Sequence, residues 1–340
     1  KPIWLRRTAL FRVPLSKKNA SLATDTTAEK KIDSQTPVSI HTVRRVVDAF
    51  AATIRKQPTT LPAHLCFDEF KSTRSVRGSM SFIYCDALTH QVVDIVEDRR
   101  LYALKEHFYR YSRHERKKVK TICIDRYVPY IELIRQLFPN ASIIIDRFHI
   151  VQALNRELNR CRIQGMNQVR YKGRRLYNKL KRYWKLFLMK ETKLEYTRYE
   201  RYPLFDSLAN TGNVVDYLLN QNEVLKSVYR VVQDLRFSLD QSDPLMFMTS
   251  LYQPSNQSLA PGLKRVLRIV TKFKQYIKNT FHYHTLTNGP IEGINNTIKV
   301  LKRHAYGYKN DSHFKNRILL ISRLYVSGRK EKETKQPLIA

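Results

Sequence analysis

The stretch Val119–Val151, VKTICIDRYVPYIELIRQLFPNASIIIDRFHIV, decides how the rest of this 340-residue sequence is read. Thr121–Ile124 is a short apolar run rich in β-branched residues, as a buried strand requires. Asp125 stands at its carboxyl end, where open α/β sheets place their chemistry. Over Tyr130–Phe138 the apolar residues Ile131, Leu133, Ile134, Leu137 and Phe138 recur at helical spacing, and Pro139-Asn140 stops the helix. Ala141–Ile145 predicts a second strand with Asp146 at its tip. A strand–helix–strand unit of about thirty residues makes its two strands parallel. Two carboxylates at adjacent strand ends repel in water-poor surroundings, so they ask for a cation or a phosphate-binding role.

Upstream, His64–Phe70 (HLCFDEF) predicts a strand after a Leu-Pro entry. Alternate side chains point to opposite faces, so Asp68 and Glu69 cannot both serve one site. Ser79–Asp86 and Gln91–Glu97 predict two further strands joined by a turn at Leu88–His90, and Leu101–Tyr111 a helix. The order β-β-β-α-β-α-β gives an α/β fold with a mixed five-stranded sheet: three antiparallel strands, then a parallel pair. In residues 37–59, Ser39 is a good N-cap, and Val43, Val46 or Val47, and Phe50 form an apolar stripe. His41, Thr42, Arg44 and Arg45 fall on the other face. That suits the second helix of a helix-turn-helix, with the two arginines aimed at a DNA groove, although any short amphipathic helix reads similarly. Residues 1–36 lack periodicity, and Ser16–Gln35 has the composition of a poorly ordered arm. The chain starts at Lys1, not Met, so it is expected to begin inside a longer protein.

Downstream, the sheet signal ends, and residues 60–150 read as the first part of a core interrupted by a helical insertion over 151–284. Residues 151–200 hold 14 Lys or Arg against 4 acids, interleaved with Tyr171, Tyr177, Tyr183, Trp184, Phe187, Tyr196 and Tyr199. Core sequence resumes over 285–327. Asn288-Gly289-Pro290 reads as a helix entry. Ile291, Ile294, Ile298 and Leu301 form a stripe, which places Glu292, Asn295, Asn296, Lys299 and Arg303 on the opposite side. An acid in a first helical turn is also what the helix dipole favours. His313–Tyr325 predicts a last amphipathic helix, and 328–340 a frayed, flexible tail.

Charge narrows the partners. The 62 Lys and Arg outnumber 29 acids, a net charge of +33, so the partner is a polyanion. Aromatics within the basic segments favour nucleic acid over membrane, and no run is long and apolar enough to span a bilayer. Cys66, Cys85, Cys123 and Cys161 are scattered without a CxxC pair, which points to a reducing compartment and away from structural zinc.

A basic protein that cuts or joins nucleic acid must generate a nucleophile and stabilise charge on the transferring phosphoryl group. Two Mg²⁺ ions about 3.5–4 Å apart do both, held by a few carboxylates with water and phosphate completing their shells. Asp68, Asp125 and Glu292, from separate elements, meet that requirement. Asp146 and His149 in DRFH are rival or supporting site residues, Asp146 equally suited to capping the helix that follows it. Lys299 and Arg303 suit phosphate contacts as well as a solvated helix face.

The motifs FDEF (67–70), IDRYVPY (124–130), FPNASIIIDRFHIVQ (138–152) and NGPIEGINNTIKVLKRHAYGY (288–308) resemble those of the ISL-three family of bacterial insertion-sequence transposases, over roughly residues 60–326. The resemblance implies a ribonuclease-H-like core of the DDE transposase superfamily. By motif position its acidic triad falls on Asp68, Asp125 and Glu292. It implies Mg²⁺ or Mn²⁺, cleavage at element ends and 3′-hydroxyl attack on target DNA. Terminal inverted repeats and target DNA become the partners, a homodimer or higher assembly on DNA the acting form, and the bacterial cytoplasm, at the nucleoid, the location. Such proteins usually begin with a zinc-binding cysteine cluster before the helix-turn-helix. This chain has none there, so KPIWLRRTALFRVP reads as a truncated or rearranged remnant. The same residues admit two rivals: a DNA-binding relic that does not cut, and a ribonuclease-H-like nuclease or resolvase that only hydrolyses.

Overall fold

The computed structural model describes residues 39–54, 59–125, 128–252 and 259–333. The arm expected over 1–36, the first two residues of the 37–59 segment and the last residues of the tail lie outside them. The chain divides into two compact units. One holds the residues up to Ile144 together with those from Leu286 onward; the other is Ile145–Thr285.

The first unit is built on a sheet whose strands are β1 (His64–Lys71), β2 (Met80–Asp86), β3 (Val92–Val96), β4 (Thr121–Ile124) and β5 (Ser142–Ile145). They lie in the order β3-β2-β1-β4-β5. β1 pairs antiparallel with β2 and parallel with β4, so the sheet is mixed as the sequence order requires. Between β2 and β3 the chain turns at His90, which takes a left-handed φ of 61°. Helices α1 (Ile40–Ile54), α2 (Leu101–Tyr109), α3 (Arg113–Lys118) and α4 (Val128–Leu137) come from the amino-terminal segment. α13 (Gly289–His304) and α14 (Asp311–Glu333) come from the carboxyl-terminal one. This mixed order, with helices on both faces, is a ribonuclease-H-like α/β core.

β1 sorts its side chains strictly by face. Phe67 points to the α2 and α4 side, where its ring meets Phe82 (5.0 Å), Phe108 (5.5 Å) and Phe138 (6.1 Å). Glu69 shares that side and is held by Tyr130 and Arg99. Cys66, Asp68 and Phe70 occupy the other side. There Cys66 Sγ donates to Thr287 O (3.4 Å), and Phe70 packs edge-on against Phe314 (6.1 Å). Burying each such ring stabilises the fold by about 1.5–3 kcal/mol.

Two expectations are corrected here. The helix expected over Leu101–Tyr111 ends at Tyr109, and a second one, α3, follows. Ser112 caps it, its side chain accepting from Glu115 N, in the Ser-x-x-Glu pattern of a capping box. The frayed tail expected from 328 is helical as far as Glu333, in keeping with the strong helix formers of RKEKE. For the segment 37–59, the described residues show one helix, α1. Its Val43 and Val47 are fully buried while Arg44 and Arg45 are exposed. It is fastened to α14, where Asp48 Oδ1 accepts from Asn316 Nδ2 (2.8 Å) and pairs with His313 Nδ1 (2.9 Å). Any companion helix of a helix-turn-helix lies outside the described residues.

The second unit is helical: α5 (Arg147–Gln168), α6 (Arg174–Arg182), α7 (Trp184–Leu188), α8 (Thr211–Leu219), α9 (Glu223–Asp240), α10 (Pro244–Tyr252), α11 (Pro261–Lys272) and α12 (Lys274–His282). α5 is its axis, packing against α6, α7, α9 and α11. Side-chain caps start several of these helices. Asn210 accepts from Asn213 N (2.7 Å) and Asn222 from Leu225 N (2.8 Å). A buried Lys179 ammonium lies between the rings of Phe205 (4.1 Å) and Tyr217 (4.2 Å).

Candidate active site

The parallel register of β1 and β4 pairs His64 with Thr121, Leu65 with Ile122 and Cys66 with Cys123. β4 ends at Ile124; carried two positions past its last pair, this register brings Asp125, the residue just after the strand, level with Asp68. Parallel neighbours in register share a face, and strands lie about 4.8 Å apart. Asp68 therefore stands mid-strand in β1, on the side that α13 covers, and Asp125 directly follows the last residue of the neighbouring strand β4. The apolar residues of β4 are fully buried and end at Asp125, so burial of the strand delivers its acid to the rim.

α13 is fixed to β1 by amides. Asn288 Nδ2, at the N-cap, donates to Phe67 O (3.2 Å). Asn295 Nδ2 donates to Asp68 Oδ2 (2.7 Å) and Glu69 O (3.3 Å). The backbone N–H of Glu69 donates to Asp68 Oδ1 (2.8 Å), so the Asp68 carboxylate is oriented through both oxygens. Glu292 stands in the first turn of the same helix, three residues before Asn295, and is exposed. Lys299 and Arg303 are exposed further along, and Lys299 Nζ lies 3.4 Å from Asn296 Oδ1. Lys302 instead turns inward to the carbonyls of Lys71 and Ser72, and burial holds its ammonium pKa below the usual lysine value.

Asn295 corrects the face expected for it. It is buried together with Ile291, Ile298 and Leu301, while Ile294 is only half-buried. The reason is Asp68: a carboxylate on the covered face of the sheet needs a donor above it, and the helix supplies an amide where the apolar stripe would put an isoleucine. The Oδ1 atoms of Asn288 and Asn295 are buried acceptors without a hydrogen-bond partner.

The DRFH motif lies in the second unit. Asp146 is buried and caps α5, its side chain accepting from Phe148 N (3.2 Å). His149 is half-buried, its ring 5.4 Å from that of Phe148. The sequence reading passed over Arg147. Its guanidinium donates to Leu239 O, Ser242 Oγ, Thr280 O and His284 O, tying the start of α5 to the ends of α9 and α12. Arginine between a strand-end acid and an apolar helix was the available signal, since a planar five-donor group suits several carbonyls at once.

Among the described residues, no three His, Cys, Asp or Glu side chains already converge closely enough to hold a metal ion. The candidate site therefore comprises Asp68 on β1, Asp125 just past the parallel neighbour β4, and Glu292 on the helix hydrogen-bonded to Asp68. All the oxygens it offers are hard donors.

A mixed β3-β2-β1-β4-β5 sheet with an acid on one central strand, another just past its neighbour and a third on a late helix defines a ribonuclease-H-like protein with an inserted helical unit. The comparisons place the chain within that class. A family model described as "Transposase" matches residues 65–318, and the chain belongs to this family, the ISL-three transposases. It is 26% identical over 280 residues to the transposase for insertion sequence element IS1001 of Bordetella parapertussis, covering 81% of this chain and 64% of that protein. A shorter stretch of 108 residues, 32% of this chain, is 37% identical to a Lactococcus lactis protein named an ATP-dependent protease, covering 34% of it. The chain thus spans less than two thirds of either relative. No described helix is long and apolar enough to cross a membrane.

Proposed function

We propose that this chain is the catalytic part of a DDE transposase, cleaving DNA strands at the ends of an insertion sequence and joining the freed 3′-hydroxyl to target DNA. One observation supports the reading: Asn295 fastens the helix bearing Glu292 to Asp68, on the strand paired in parallel with the one that Asp125 follows. The donor set fits Mg²⁺ or Mn²⁺, two ions, with Asp68, Asp125 and Glu292 as the holding residues. An all-oxygen set without thiolate or imidazole suits hard cations, and the orphan Asn295 Oδ1 suits a metal-bound water. When bound, such a pair activates the attacking oxygen and neutralises charge on the phosphoryl group.

The protein's own residues do the rest. Asn295 and the Glu69 N–H orient the Asp68 carboxylate. Exposed Lys299 and Arg303 line α13 with positive charge that suits phosphates. Arg44 and Arg45 on α1 suit the DNA backbone or a groove, and the 14 Lys or Arg in residues 151–200 attract the polyanion at long range. Terminal repeats and target DNA are the partners, and action on two ends asks for a homodimer or larger assembly. Four buried cysteines that form no disulfide accord with a reducing bacterial cytoplasm, where the nucleoid is the substrate. The protease name of the second relative has no support in this chain. None of its glycines is followed by lysine, so it contains no GxxxxGK[ST] phosphate loop.

A second reading, a DNA-binding relic that does not cut, draws on the absence of a preformed carboxylate cage among the described residues. Nicking of a labelled element-end duplex separates the two, with Mg²⁺ or EDTA, for wild type and Glu292→Gln. Metal-dependent nicking lost in the variant while DNA binding persists supports the transposase. Binding without nicking in either protein establishes the relic.

A further inference from the structure

α13 ends in a turn that sequence alone would not single out. Gly307 N donates to Lys302 O (2.9 Å) and Tyr306 N to Arg303 O (3.1 Å). This is the Schellman pattern, whose left-handed position is normally glycine. Here that position is Tyr306, with φ 54°, and glycine follows it at Gly307, φ 97°. A bulky residue with positive φ is strained, and Tyr306 gains no burial in return, being 97% exposed. Tyr308, two residues on, behaves oppositely: its ring stacks on Phe314 at 4.6 Å and 25°. The turn thus anchors one tyrosine and presents the other. Nearby in sequence, Lys299, Arg303, His304 and Lys309 are all exposed, and Gly293–Asn310 contains no acid.

We propose that Tyr306 is a stacking platform for an unpaired or splayed nucleobase of the DNA bound at this active site. An exposed aromatic face on a segment that carries Lys299, Arg303 and Lys309 and no acid fits a base and its phosphates, and stacking needs no particular sequence. Tyr306 lies fourteen residues after Glu292, almost entirely along α13. At 1.5 Å per residue the separation is about 20 Å, or roughly six nucleotides of B-form spacing. The stacked base therefore lies about that far from the scissile phosphate. This rests on DNA being the substrate, as proposed above.

The test uses the full chain and an oligothymidylate carrying one 2-aminopurine, whose fluorescence falls on stacking against an aromatic ring, alongside its duplex form. Wild type and Tyr306→Phe are expected to quench the single-stranded probe. Tyr306→Ala and Tyr306→Gly are expected to lose the quenching and to bind it about tenfold or more weakly. Tyr306→Gly also relieves the left-handed strain, so its melting temperature should rise by about 2 °C, which excludes misfolding as the cause of lost binding. Unchanged quenching in the Ala and Gly variants overturns the proposal. So does an unchanged DNA affinity accompanied by altered self-association, which would assign the turn to a protein contact. Glu292→Gln keeps the outcomes apart. Quenching without metal-dependent nicking in wild type leaves the platform standing and removes the enzyme; nicking without quenching does the reverse.

Discussion

The side-chain amide of Asn295 donates to Asp68 Oδ2 at 2.7 Å, joining residues 227 positions apart in sequence. This bond holds a helix over a carboxylate, and it carries the first prediction. Asn295→Ala strips Asp68 of a donor and removes a tie between α13 and β1. The variant should lose about 1–3 kcal/mol of stability in denaturant unfolding and nick DNA at least tenfold more slowly. Asn295→Asp places two carboxylates together, so its loss of stability in EDTA should be relieved by adding Mg²⁺. An Asp variant whose stability ignores Mg²⁺ would count against cation binding at Asp68.

Asp125 and Asp146 are both strand-end acids, and they should part company on mutation. Asp125→Asn is expected to abolish metal-dependent nicking with little change in melting temperature. Asp146→Ala removes the cap of α5, so it should cost about 0.5–2 kcal/mol and leave the chemistry of the folded fraction intact. Paired nicking and thermal-melt measurements on both variants decide the matter.

Arg147 should prove structural. Its guanidinium serves four acceptors in the helical unit, and truncation to Ala would strand them. A loss of about 2–4 kcal/mol is expected, with Arg147→Lys recovering only part of it because an ammonium cannot span the same carbonyls. Limited proteolysis of the 145–285 unit would show the loosening directly.

Acid should weaken the fold through His107. The ring is buried between Tyr84 and Arg110; Arg110 donates to Nδ1 and Nε2 lies 2.8 Å from the Tyr84 hydroxyl. Burial, and then the Arg110 charge, pushes the imidazole pKa down to about 4. Between that value and the unfolded histidine's pKa of about 6.5 the unfolded chain binds the extra proton. Stability therefore rises with pH through this window and falls on acidification, by up to about 3 kcal/mol. Unfolding free energies measured across the window should lose most of that slope in His107→Phe, provided the variant still folds.

Much of this was written in the sequence because burial and alternation leave marks. The β4–α4–β5 stretch shows in its apolar runs, and the face-sorting of Asp68 and Glu69 follows from strand geometry alone. What escaped depends on partners distant in the chain. Asn295 counted as an outward residue until Asp68 appeared beneath it. Asp146 offered capping and metal binding with equal force, and only the Phe148 N–H above it assigns the cap. Arg147 has no periodic signature, since its four acceptors are carbonyls and a hydroxyl almost a hundred or more residues away. The helix over 113–118 was legible in Ser112 and Glu115 but too short and polar for periodicity to register. Tyr306 is marked by no pattern of polarity; its backbone angle and exposure are what distinguish it.

The long gap between Asp68 and Asn295 also sets a clock on synthesis. At translation speeds of about 5–20 residues per second, roughly 10–45 s pass between the two leaving the ribosome. Throughout that interval β1 is present without the helix that covers it, while the intervening helical unit can fold on its own contacts. A nascent chain thus carries Asp68 and Asp125 well before Glu292 and the amide that covers Asp68. Chains cut short before α13 would leave the Asp68 side of β1 uncovered while keeping the basic helical unit.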